Sequence, residues 1–93
     1  MKNLQELRDI RQEVLEMSFD FKNVHRIMFL VYEAKDLFGE NHPIPNKDIA
    51  LHQTNKVIGD ELMKLVRSKN EKEIEKNFNE LIESFKLVLA YIA

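Results

Sequence analysis

Cysteine and tryptophan are both absent from this chain. Without thiols there are no disulfides, no thiolate metal ligands and no cysteine nucleophile, a composition suited to a reducing cytoplasm. Only two glycines and two prolines occur, and both prolines fall in Pro43-Ile44-Pro45. Helix breakers therefore concentrate around residues 39–46, and long helices on either side follow. Gly39 and Gly59 alone cannot form a glycine-rich phosphate loop. Ser18, Ser68 and Ser84 lack the flanking glycines of a nucleophile elbow. No apolar run approaches the roughly 20 residues of a membrane span, and Met1-Lys2-Asn3-Leu4-Gln5-Glu6 lacks the apolar core of a signal peptide. A net charge of −2 with both signs interspersed leaves no basic stripe for nucleic acid. The expectation is a cytoplasmic protein with no nucleic-acid partner.

What the chain does contain is apolar periodicity. Its 93 residues, 44% hydrophobic and 32% charged, are enough for one core, hence a single domain over 1–93, and too apolar for disorder. Six consecutive large apolar residues, Ile27-Met28-Phe29-Leu30-Val31-Tyr32, cannot share one stripe of a helix, because successive side chains turn by about 100°. The run predicts a central helix covered on most sides, ending near Gly39.

Before it, Asn3 is placed to cap a first helix with Glu6 as its capping-box partner. Leu4, Leu7, Ile10, Val14, Met17 and Phe21 recur at spacings of 3, 3, 4, 3 and 4, an apolar seam. Ser18, Asp20 and Asn23 favour a break between the first two helices. A single helix from Leu4 to Phe38, about 50 Å long at 1.5 Å per residue, is the alternative and would imply an obligate dimer. Beyond the breaker-rich loop, Asn46 is placed to cap a third helix with a stripe at Leu51, Asn55, Ile58, Leu62 and Leu65, widened by Ala50, Val57 and Val66. Asn55 reads as a satisfied edge amide or as a register-setting buried amide. Asn70 and Glu73 open the last helix, whose Ile74, Phe78, Leu81, Phe85, Val88 and Ile92 give the cleanest amphipathic signal. The prediction is an all-α fold: a small antiparallel four-helix bundle with helices at roughly 4–18, 23–38, 47–67 and 71–92.

Chemistry has few footholds. Glu33 and Asp36 share a helix face, Asp60 and Glu61 lie on the third helix, and Glu80 and Glu83 share a face of the fourth. Surface pairing, for instance Arg26 with Glu33, accounts for such carboxylates. Inward-facing carboxylates of a bundle can instead hold divalent metal. Asp48 and His52 are four apart, but two ligands without a third make a weak site. His25 reads as solvated, and His42 lies in the loop, where binding residues concentrate.

Tyr32-Glu33-Ala34-Lys35-Asp36 and Val57-Ile58-Gly59-Asp60 give residues 27–70 a loose resemblance to the MazG-like nucleotide pyrophosphohydrolases, all-α proteins with an E-E-x-x-E motif followed by E-x-x-D. The resemblance implies magnesium held by Glu33, Asp36 and Asp60, and a metal-dependent nucleotide hydrolase as the alternative function. Tyr32 and Val57 stand where that family has glutamate, which removes part of the ligand set.

Surplus apolar surface points elsewhere. With Phe85, Leu89 and Ile92 turned to the core, Leu87 and Tyr91 point away from it, and Leu15 and Phe19 fall off the first seam. These four are the candidate partner interface, since exposed apolar patches on small domains mark contacts and tyrosine is favoured in them. Mutual burial within the bundle is the alternative. The expected function is protein–protein interaction without catalysis or cofactor, as a regulator, inhibitor, immunity or adaptor protein of bacterial or phage type, with a homodimer as the first expected assembly. A bacteriocin-immunity type shares this size and architecture by analogy only.

Overall fold

Apolar residues spaced three and four apart become helices because one face then carries them all while the backbone satisfies its own hydrogen bonds. A computed structural model of the chain describes residues 2–40 and 44–92. Helix α1 is Lys2–Glu16 and α2 is Phe21–Gly39. A third rod comprises α3 (Lys47–Val57), a π turn (Ile58–Leu62) and α4 (Met63–Val66). The fourth is α5 (Glu71–Leu89), finished by a 3₁₀ turn (Ala90–Ile92).

The rods form a ring: α1 beside α2, α2 beside α3, the third rod beside α5, and α5 back beside α1. Short connectors make neighbours antiparallel, and the result is a four-helix bundle measuring 41 × 23 × 17 Å. Among the described residues, no helix is long and apolar enough to cross a membrane.

Two helix starts follow capping chemistry. Asp20, extended at φ −161°, accepts a hydrogen bond from the Lys22 N–H at 3.0 Å. The first two helices are therefore separate, broken at 17–20, and α2 begins two residues earlier than its periodicity suggests. Asn70 accepts from the Glu73 N–H at 2.9 Å, and the Glu73 carboxylate accepts from the Lys69 N–H at 2.7 Å. Asn3 and Asn46 act differently from expectation. Asn3 lies inside α1, and its amide donates to the Glu40 carboxylate, tying the start of α1 to the end of α2. Asn46 sits in the left-handed region at φ 58°, which asparagine tolerates. Its amide donates to the Tyr91 carbonyl at 3.1 Å instead of capping α3.

The predicted central helix, α2, shares that place with α5, which lies diagonally across the ring from it. Helix α5 touches every other rod, and buries Phe78, Leu81, Ile82, Phe85, Val88 and Leu89. The run 27–32 is covered on one side only: Ile27, Leu30 and Val31 are buried, while Phe29 and Tyr32 are 57% and 44% exposed. Phe21 does not extend the α1 seam; it opens α2 and is 52% exposed.

The third rod corrects the stripe predicted for it. Its buried residues are Ala50, Thr54, Val57, Leu62 and Leu65, so Leu51 and Asn55 give way to their neighbours, and Val66 is exposed. The π turn supplies the reason. Its wider turn accommodates one extra residue, so the buried series steps by five from Val57 to Leu62 and keeps Glu61 off the core line. Extrapolating a constant 3.6-residue period back from Leu62 and Leu65 lands one position out. Thr54 is the buried polar residue instead of Asn55, and its hydroxyl donates to the Ala50 carbonyl at 2.7 Å.

Because Phe85 is fully enclosed, Phe85→Ala should cost about 3–5 kcal/mol in urea unfolding, against about 1 kcal/mol for removal of the cap in Asp20→Ala. A Phe85→Ala loss no larger than the cap's would contradict this packing.

Candidate protein-interaction surface

Helix α2 is amphipathic with two apolar faces of different fate. Ile27, Leu30, Val31, Ala34, Leu37 and Phe38 turn inward and are buried. Phe21, His25, Phe29 and Tyr32 recur at spacings of 4, 4 and 3, which carries them along the opposite side, and all four are exposed. The stripe is about 17 Å long at 1.5 Å per residue. Asp36 continues it by a further turn.

Its aromatic side chains are held from below and from the side. Phe19, in the connector after α1, packs edge-on against Phe21 and against buried Phe78, both at 5.5 Å between ring centres. The Arg26 guanidinium lies 5.4 Å from the centre of the Phe29 ring, within cation–π range. Arg26 is itself fixed by a two-point pair with the Glu13 carboxylate, at 2.5 and 2.7 Å. Glu13 is thus the hydrogen-bonded partner of Arg26, and the expected Glu33 adds a weaker charge attraction. The hydrogen bond from Arg26 holds the Glu13 carboxyl below its ordinary value, and the same contact raises Arg26 further.

The four residues singled out from sequence do not form one patch. Leu87 is 72% exposed and, with Tyr91, borders an open groove of about 350 Å³ between α5 and the third rod, shared with Lys56, Asp60 and Ser84. Phe19 is half-buried against Phe78, about 20 Å along α5 from Tyr91 at 1.5 Å per residue. Leu15 is exposed on α1, about 200° around that helix from Glu13 and so turned away from α2.

The carboxylates are also dispersed. Glu33 and Asp36 lie on α2, and Asp60 lies in the π turn beside the α5 groove. Among the described residues, no three histidine, cysteine, aspartate or glutamate side chains converge as a metal site; Asp48 and His52 are both exposed. His42 lies outside the described residues. Glu83 receives Lys86 at 3.4 Å. A helix covered on most sides, as the run 27–32 predicts, leaves no room for the α2 stripe, which is why these residues do not stand out from composition alone. The signal was present: Phe21, His25, Phe29 and Tyr32 are in helical phase with one another and out of phase with Ile27, Leu30 and Ala34.

The Glu13–Arg26 pair is exposed, with side chains 38% and 45% accessible, so its net contribution is at most about 1 kcal/mol. Because the folded carboxyl titrates below the unfolded one, that stability is present above the ordinary value of 4.5 and lost as pH falls through the lower folded value. The stability gap between the native chain and Glu13→Gln should therefore close in acid; a gap independent of pH in denaturant titrations would remove the ion pair's role.

Comparison of the chain with protein-family models, with curated proteins and with solved structures found no match in any of the three, so its functional reading rests on these side chains.

Proposed function

We propose that this chain works by protein–protein interaction, as a small non-catalytic regulator, inhibitor, immunity or adaptor protein of the cytoplasm, and that it associates with a second copy of itself. One observation carries the reading: Phe21, Phe29 and Tyr32 stand roughly half exposed on the side of α2 turned away from the core. A half-exposed aromatic leaves on the order of 100 Å² in water, and covering it is worth about 2.5 kcal/mol. Large aromatic side chains left outside the core along one helix face of a small domain mark a contact. Aromatics are also the residues on which interface energy concentrates, particularly when their rotamers are already held. Phe19 beneath Phe21 and Arg26 over Phe29 supply that restraint.

A contact built on one helix face belongs to the small class of interfaces, which associate weakly. The apparent mass in sedimentation should accordingly rise from one chain toward two between about 5 and about 200 µM. A mass that stays at one chain across that range would remove self-association.

A further inference from the structure

The charges bordering the α2 stripe are ordered along the helix. Lys22, His25 and Arg26 occupy its first two turns, and Glu33 and Asp36 lie in its second half. Lys22, Arg26 and Glu33 fall on one flank, within about 40° of each other around the axis; Lys35 is about 220° from Lys22, on the other side. This order opposes the helix's own macrodipole, which favours anions at the amino end and cations at the carboxyl end. The first turn of α2 holds no acid and the last no base. Within one chain the Asp20 cap at the amino end, the Glu13 carboxylate on Arg26 and the charge of Glu33 near Arg26 offset part of the arrangement.

A second α2 lying antiparallel offsets the rest. In a two-fold symmetric antiparallel pair, a given flank of one helix meets the same flank of the other in reversed order. The basic half of each copy then faces the acidic half of its partner. We infer that the α2 outer face is an isologous, antiparallel contact between two copies of this chain, with Phe29 against the partner's Phe29, His25 against the partner's Glu33 and Lys22 against the partner's Asp36. The inference rests on the reading of the chain as self-associating and adds its face, direction and register. A parallel arrangement would set Lys22 beside the partner's Lys22 and Asp36 beside the partner's Asp36. The α5 groove shows no such order. It carries Lys56 beside Asp60 and Glu61 around exposed Leu87 and Tyr91, without the separation of basic and acidic halves seen along α2.

Charge reversal in pairs tests the register. Lys22→Glu and Asp36→Lys, made separately, each place like charges at both symmetry-related contacts and should weaken self-association by about tenfold. Mixing the two variant chains restores opposite charges at both contacts and should return the apparent Kd to within about threefold of the native value. Phe29→Ser with Tyr32→Ser should abolish association, while circular dichroism melts show the helices intact. Three results overturn the inference: a native dimer insensitive to the aromatic substitutions, a dimer insensitive to the charge reversals, or variants that do not complement on mixing. Each leaves self-association standing through another face or register. A native chain monomeric at every concentration defeats both this inference and the functional reading it rests on.

Discussion

Burial of one face of α5 is the constraint that the remaining packing obeys. Phe78 and Phe85 are fully enclosed along with Leu81 and Leu89, and every other rod rests on this helix. Helices of this length are marginal in isolation, so most of their stability comes from an apolar face meeting a partner. The two diagonal helices, α2 and α5, each meet the core with one face, and α2 has an aromatic face left over.

The third rod shows how a small backbone departure redistributes side chains. In a regular helix through residues 47–66, Leu62 and Leu65 would sit about 80° around the axis from Ala50, Thr54 and Val57, spreading the buried stripe. The π turn joins them, and Asp60 and Glu61 are carried to the side of the rod that borders α5's exposed Leu87. The same device explains why a buried threonine, satisfied within its own helix, replaces the asparagine that periodicity nominated. No interhelical polar partner is needed to satisfy it.

At the α1–α2 side, ionic and aromatic contacts act together. Arg26 is bound by Glu13 and lies over Phe29 in the same geometry, so an ion pair of small net worth also restricts the motion of an exposed ring. Restriction before contact lowers the entropy lost when the ring is covered. Phe19 serves Phe21 in the same way from the connector, with buried Phe78 behind it. The surface proposed as an interface is thus braced by residues from three elements.

Much of the architecture was legible in the residues alone. The seam of α5 and its Asn70 cap, the number of helices and the breaker-rich turn all follow from local spacing and capping chemistry, which depend on near neighbours in the chain. Leu87 and Tyr91 were correctly expected to face outward, because that follows from the α5 period. What only the tertiary structure decided was which apolar face of a doubly apolar helix meets the core. Ile27-Met28-Phe29-Leu30-Val31-Tyr32 offers apolar residues on both faces, and the choice between them depends on how the other three rods pack against α2. The phase of the third rod was hidden for a related reason. A π turn is stabilised by the packing it permits on both sides, and residues 58–62 carry no local pattern that distinguishes it from an ordinary helical turn.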